Sequence, residues 1–517
     1  MAYRNPIIPG FAPDPSTVRI RDTFYLVNSS FHLSPGLPIF ASKNLISWRH
    51  IGNATNRPTK LSLAHSGTKL NCVSGGHSVD KAPATGGLYA PTIRHYNGIT
   101  YIVCTNVIYD QGKDDGDWIS GLDFQNFIIS TPDIGVGQWS DPVYFDFHGI
   151  DPDLFFDDDG RAYISGSSWM PKPSCCISCF EIDITTGRKM AQEIIIWDGY
   201  MQIIPEGPHV YKRDGYYYLL VAKGGTHDGH CISIARVPSI WGPYESNLVQ
   251  DLHGEWWLVC LGVRRDRAGR MVLGRETFLA TVDWQAEQTW PRIQQLIPFE
   301  LRRALIPSTG ECEGDASFRP SLPREMTPSP LSPKIDLVRI RDPDFSRCQV
   351  SQDGRVISLL PSPTDLGQCS GGSTAFVGWK VRRVKGLATV DLLLTPALTN
   401  TGEAKVGLAY YKDEYRYARI LYEPGNQAMV FEVVNHSKDP PILMTKISKL
   451  IHFLFRVGNV DDDKGWVSRG LVDTLDMSGD DFTGPVVGVF ATGEGEEWSY
   501  SLLAGCKSVF PEASERT

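Results

Sequence analysis

Between residues 16 and 261 the chain repeats one pattern five times: a short alternating apolar run, a tight polar turn, then an aromatic-rich apolar run. The copies are Ser16–Asn28, Thr92–Thr105, Asp153–Gly166, His209–Ala222 and Leu248–Leu261. Apolar residues recurring every second position on either side of a turn predict antiparallel hairpins. The turns carry Arg21-Asp22, Asn97-Gly98, Asp159-Gly160, Asp214-Gly215 and His253-Gly254. Asn-Gly and Asp-Gly accept positive φ at both central positions, which a two-residue hairpin turn requires. Three hairpins are trailed by a second element that ends on Trp48, Trp139 or Trp241, read as an outer hairpin. Inner plus outer hairpin makes a four-stranded blade. Five such units predict a five-bladed β-propeller. A sandwich with similar turns is the other arrangement, and five like copies favour radial repetition.

The pattern changes after about Phe318. Residues 319–334 hold five prolines and predict a stiff linker. Alternating runs then return at Ala404–Tyr411, Tyr417–Tyr422 and Val486–Ala491, predicting a separate β-sandwich. The expected organisation is all-β: a propeller over 1–318, a linker over 319–334 and a sandwich over 335–517.

Composition supports this and narrows the chemistry. The 517 residues are 42% hydrophobic and 11% aromatic, with 49 Gly and 35 Pro, as a turn-rich β protein requires. A net charge of −9 without basic runs argues against nucleic acid and anionic membranes and suits a neutral ligand. No apolar run approaches the roughly 20 residues of a spanning helix, and no leader pattern opens the chain. As written it is expected to be cytoplasmic; a longer N-terminus would make it secreted. The 11 cysteines form no disulfide framework. Cys175, Cys176 and Cys179 lack a second Cys/His pair at zinc spacing and read as structural thiols.

The candidate chemistry lies at the hairpin entries, because the innermost strand of each propeller blade begins near the central channel. Asp14 of Pro13-Asp14-Pro15 stands eight residues before its turn residue Asp22. Asp151 and Glu206 each stand nine before their turn glycines, Gly160 and Gly215. Equivalent positions in three blades would converge on one axis. The proline after each Asp biases that residue toward extended backbone. Singly, each acid is as readily a turn residue. Together, crowded carboxylates drive their pKa values apart and separate an acid from a base, as glycoside hydrolysis needs. Asp157, Asp158 and Asp159 read as a solvated turn without chemistry. Phe31, Tyr89 and Trp169 are candidate sugar platforms, each also a candidate core residue. Arg275 is a candidate donor to a hydroxyl or a carboxylate.

These segments resemble glycoside hydrolase family 43: Asn5 to Ser16, Gly86 to Pro91, Gly149 to Phe155, Pro205 to His209 and Gly274 to Phe278. The resemblance is to its β-xylosidase / α-L-arabinofuranosidase branch, which carries a C-terminal concanavalin A-like jelly roll. Phe482 to Gly488 resembles a closing strand of that sandwich. The resemblance implies an inverting exo-hydrolase acting on xylo- or arabino-oligosaccharides. It makes Asp14 the general base, Glu206 the general acid, and Asp151 the residue that raises the pKa of Glu206 and orients it. Phe31, Tyr89, Trp169 and Arg275 match substrate-pocket positions. Relatives often have tryptophan where Tyr89 stands. In relatives the sandwich lends a loop to the pocket rim, which favours action on chain ends. Xylose and arabinose are not separable from sequence. No cofactor is required, and oligomeric state is left open.

One departure stands out. The family's fifth blade begins with Gly-His, and that histidine often ligates a calcium ion in the channel. Nine residues before Gly254 this chain has Glu245. The fourth and fifth turn glycines are 39 residues apart, against 55 for the preceding pair. A strand and its connection are thus expected to be missing near 246–248, through a lost coding segment or in a truncated paralogue. A sugar-binding protein without turnover and an endo-acting arabinanase are the alternative functions.

Overall fold

A computed structural model describes residues 2–3, 5–57, 61–71, 82–109, 121–169, 175–198, 205–224, 231–242, 249–250, 256–265, 271–284, 291–293 and 301–302, and then 335–354, 356–368, 372–382, 386–388, 390–393, 404–448, 456–457, 477, 483–493 and 498–501. The chain divides into two compact units. The first comprises Met1–Ser66, Gly86–Gly262 and Arg275–Gly314; the second comprises Gly67–Thr85, Val263–Gly274 and Asp315–Thr517. The expected linker at 319–334 and the shortened entry at 246–248 lie outside the described residues.

Five antiparallel sheets follow one another along the chain. The first holds Ser16–Ile20, Thr23–Val27, Gly36–Ser42 and Arg49–Thr55. The second holds Gly87–Tyr96, Ile99–Tyr109, Leu122–Thr131 and Val143–Phe145. The third holds Gly149–Phe156, Ala162–Ser168, Cys176–Ile182 and Ile194–Trp197. The fourth has three strands among the described residues, Pro205–Arg213, Tyr216–Lys223 and Cys231–Val237. The fifth holds Val249–Gln250, Trp256–Arg265, Met271–Asp283 and Arg292–Ile293. The strands flank the turns read from sequence: Ile20 pairs with Thr23, Tyr96 with Ile99 and Arg213 with Tyr216. Arg21, Asn97 and Asp214 take the positive φ that these two-residue turns demand (56°, 48° and 50°).

Each sheet shares a hydrophobic core with the next. Val27 and Ile39 of the first pack with Ile93 and Phe127 of the second. Val103 and Ile128 of the second pack with Leu154 and Phe180 of the third. Ile177 of the third packs with Val210 and Leu219 of the fourth, and Tyr218 of the fourth with Leu258 and Trp284 of the fifth. Trp257, Val259 and Leu279 of the fifth pack with Phe24, Leu26 and Phe40 of the first. These buried faces provide most of the driving force for assembly, each fully buried aliphatic side chain being worth about 1.5–3 kcal/mol.

The N-terminal segment also ties the first sheet to the fifth. The Ile7 N–H donates to Thr277 O (3.0 Å), the Thr277 N–H to Ile8 O (3.2 Å) and the Ala12 N–H to Arg275 O (3.0 Å). The Asn5 side chain brackets Leu279, donating to its carbonyl (2.8 Å) and accepting from its N–H (2.9 Å). The Gly10 N–H donates to buried Glu276 (2.7 Å).

One expectation is corrected. Asp157 is not solvated: it is 8% exposed and accepts from Lys212 and from the Tyr217 hydroxyl (2.6 Å), both on the fourth sheet. Burial pushes its carboxyl up, but these donors outweigh it and the net shift is downward. The turn beginning at Asp157 therefore fastens the third sheet to the fourth.

The second unit contains a six-stranded sheet ordered Ala375–Lys380, Val486–Thr492, Lys405–Asp413, Arg416–Glu423, Ala428–Asn435 and Ile442–Ser448. A four-stranded sheet is ordered Cys348–Val350, Val356–Leu359, Trp498–Ser501 and Asp391–Leu393. One core joins them, with Cys348, Ile357 and Leu359 of the smaller sheet against Val377, Val406 and Val489 of the larger. The turn between its third and fourth strands buries Asp413, Glu414 and Arg416. Arg416 Nε donates to Asp413 (2.8 Å), and Glu414 accepts from the Thr68 N–H (2.7 Å) and hydroxyl (2.9 Å). Buried charges persist when paired in this way.

Candidate active site

The three acids stand at or near the start of the first strand of the first, third and fourth sheets, and the backbone is left-handed at each entry. Asp14 has φ 48° before Pro15, Asp151 has φ 54° before Pro152, and Gly207 has φ 55° before Pro208. The expectation that proline would hold each Asp extended is therefore corrected. Strand pairing gives the reason in two of the entries: register shifts between Ile150 and Asp153, and between Glu206 and His209. These are β-bulges, which re-aim a side chain and accumulate near functional sites. Left-handed backbone at a non-glycine residue costs of order 1–3 kcal/mol and persists where its surroundings enforce it.

Register also refines the spacing argument. Ser16 pairs with Val27, Asp153 with Ser165 and His209 with Leu220. Counted back from these, Asp14 and Asp151 match Gly207. Glu206 stands one residue earlier and pairs with Ala222. The third acid thus enters the site from the neighbouring backbone position.

Asp14 is held from two sides. The Ser29 hydroxyl donates to its Oδ2 at 2.6 Å, and the Arg275 guanidinium lies 3.8 Å from Oδ1. Asp151 reaches from the third sheet to the fourth, where Oδ2 accepts the Gly207 N–H at 3.1 Å, beside Glu206. Burial pushes the Asp151 carboxyl well above the usual carboxylate range, and the charges of Glu206 and Asp14 push it further. The Gly207 N–H and Arg275 oppose this. Asp14, Glu206 and Arg275 therefore all act electrostatically on Asp151.

The aromatic candidates fall into two groups. The Tyr89 ring lies 4.8 Å from that of Phe31, and Phe31 packs on Phe11 at 5.8 Å. Phe31 is 1% exposed, so it is a wall behind Tyr89 with little open face. Gly87, at φ 106°, permits this closeness: a Cβ there would stand 2.2 Å from Phe31 O. Burial, with Tyr109 nearby, pushes the Tyr89 hydroxyl well above its ordinary value, and Arg275 and Asp151 act on it as well. Tyr109 is itself pushed up to about 12 by burial. Trp169 ends the strand Ala162–Ser168, is 7% exposed, and its backbone N–H donates to His148 O at 3.1 Å. That bond ties it to the strand entry leading to Asp151.

Sequence reasoning missed Ser29, Tyr109 and a trio, Arg94, Asp153 and His209, in which Asp153 is completely buried. The signal for Ser29 was present in the small polar run Asn28-Ser29-Ser30, which directly follows the apolar strand Thr23–Val27. Cys175, Cys176 and Cys179 are buried free thiols. Burial pushes Cys175 up to about 12 and raises the other two. Thiols so disposed stay protonated and pack as small apolar groups. Among the described residues no group of three or more His, Cys, Asp or Glu is arranged to hold a metal. Glu245, at the family's histidine position, lies outside them.

The model of glycosyl hydrolases family 43 matches residues 3–248. A xylosidase/arabinosidase of Butyrivibrio fibrisolvens is 38% identical over 323 residues, which are 56% of this chain and 55% of that protein. The chain thus spans about half the length of that relative. A non-reducing end α-L-arabinofuranosidase of Bacteroides ovatus is 28% identical over 540 residues, covering 96% of this chain and 92% of its own. The solved structure of a family 43 protein from the Bacteroides ovatus xyloglucan utilisation locus superposes with a TM-score of 0.74 at 25% identity, covering 97% of this chain and all of that one.

Proposed function

From its membership of glycoside hydrolase family 43, we propose that this chain is an inverting exo-glycosidase that removes xylose or arabinose from the non-reducing ends of oligosaccharides. The proposed scaffold is a five-bladed propeller followed by a concanavalin-like sandwich. Cores shared by each sheet with the next, and by the fifth with the first, support the propeller. Two sheets around one core support the sandwich.

The observation that carries the reading is the shared field of Asp14, Asp151 and Glu206 under Arg275. Asp14, braced by Ser29 and facing Arg275, is the base that takes a proton from water. Glu206 gives a proton to the departing oxygen. Asp151, bonded to the Gly207 N–H beside Glu206, disfavours a second negative charge there and so helps to keep the proton on Glu206. Water attacks the face of the sugar opposite the leaving group, so the anomeric configuration inverts; such sites separate acid from base by roughly 6.5–9.5 Å.

The test uses nitrophenyl β-xyloside and α-L-arabinofuranoside. The chain should release nitrophenol from at least one, and proton NMR should show the inverted anomer first. Glu206→Ala should lose activity on unactivated oligosaccharides by about 100-fold or more. Full activity of that variant, or a retained anomer, overturns the assignment. Oligosaccharide binding without turnover identifies a sugar-binding protein instead.

A further inference from the structure

The equivalent positions Ser16 and Asp153 each reach across to the main chain of the next sheet. Ser16 Oγ accepts the Ile93 N–H at 3.1 Å, and Asp153 Oδ2 accepts the Val210 N–H at 2.7 Å. A hydroxyl suffices for that bond in the first sheet, whereas the third sheet uses a carboxylate that is completely buried. The extra charge has partners on both sides. Arg94 of the second sheet donates from Nη2 to Asp153 Oδ1, and His209 Nδ1 of the fourth lies 3.4 Å from the same oxygen. Arg94 Nη2 and His209 Nδ1 are themselves 3.4 Å apart, and the Arg94 guanidinium stacks 5.4 Å over Tyr211. One carboxylate thus joins three successive sheets.

Its place in the chain gives this junction its consequence. Asp153 follows Asp151 by two residues across the bulge, and His209 and Val210 follow Glu206 by three and four across the other bulge. Each bulge is anchored at one end by Asp153. We propose that Asp153, with Arg94 and His209, is a positioning device that fixes Glu206 against Asp151 and so sets its delivery of the proton. This rests on the reading of Glu206 as the general acid. A paired buried charge is stringent in this role: removing its charge leaves Arg94 uncompensated, and the neighbouring strands shift to relieve it.

The experiment compares wild type, Asp153→Asn, Arg94→Met and Glu206→Gln on two pentosides. One is an unactivated disaccharide, whose leaving oxygen must be protonated. The other is a dinitrophenyl glycoside, whose leaving group departs without a proton. Asp153→Asn should lose about 10-fold or more in kcat on the disaccharide, with KM within about two-fold and little loss on the dinitrophenyl substrate. The basic limb of its kcat/KM profile should move, and Arg94→Met should share the pattern. Equal losses on both substrates with an unmoved profile, in the variant that remains folded by circular dichroism, would reduce the trio to scaffold and overturn the proposal. Glu206→Gln reads the premise separately. If it shows no dependence on leaving group, the acid assignment falls, and the proposal with it.

Discussion

The Ser29 hydroxyl bonds Asp14 at 2.6 Å, and the chain around both residues is fixed for that purpose. The Ser29 N–H donates to Pro13 O at 3.2 Å, and the Asn28 side chain to the same carbonyl at 2.8 Å. Ser29 is fully buried, so water does not replace it freely. Ser29→Ala should lower kcat about 10-fold with little change in KM, the value of one hydrogen bond to a charged group. Steady-state kinetics on the better pentoside checks this.

Asp151 and Asp157 should give opposite pH signatures. The Asp151 carboxyl is raised above its ordinary 3.8 by burial and by Glu206 and Asp14. The folded state then binds its proton more tightly than the unfolded state, so stability is lost as pH rises through the folded value. Asp151→Asn removes that loss. Its melting temperature should match wild type below pH 4 and exceed it at neutral pH by on the order of 2 °C. Thermal melts between pH 4 and 8 read the divergence.

For Asp157 the donors Lys212 and Tyr217 outweigh burial and the carboxyl is lowered. Its stabilisation is complete above the unfolded value of 3.8 and disappears as pH falls through the folded one. Asp157→Asn should therefore be less stable than wild type at pH 7, by about 1 kcal/mol, with a smaller difference at about pH 3, below the unfolded value. Urea melts at the two pH values decide the sign.

Arg213 lies over two indoles that contact each other, 5.1 Å from the Trp256 ring and 4.5 Å from that of Trp284. This stack joins the fourth sheet to the fifth, where the fourth has three described strands. Arg213→Ala should destabilise by about 1–2 kcal/mol, and Arg213→Lys by less, because a cation over the rings is kept. Both should leave KM unchanged.

The inner hairpins were legible because their information is local. Alternation and turn residues lie within a dozen positions, and Asn97-Gly98 and Asp214-Gly215 sit where the backbone turns. The acids were legible as segments for the same reason, since each precedes its hairpin by a near-constant interval. What sequence could not give was geometry created by pairing. A bulge depends on the partner strand, so the left-handed Asp151 and the one-residue offset of Glu206 emerge only with register. Asp157 looked solvated because two adjacent acids share its turn; its donors stand 55 and 60 residues away. Arg94, Asp153 and His209 were invisible for the same reason, as members of three different repeats.

The N-terminal strap has a consequence for synthesis. The Ala12 carbonyl, two residues before Asp14, is bonded by the Thr277 hydroxyl, 265 residues later, and Arg275, the counter-charge of Asp14, is synthesised only then. At about 5–20 residues per second the ribosome needs roughly 13–53 s to cover that distance. Through that interval the nascent chain holds a carboxylate whose setting does not yet exist, and a chaperone bound to residues 5–12 would delay the docking of this segment on the fifth sheet.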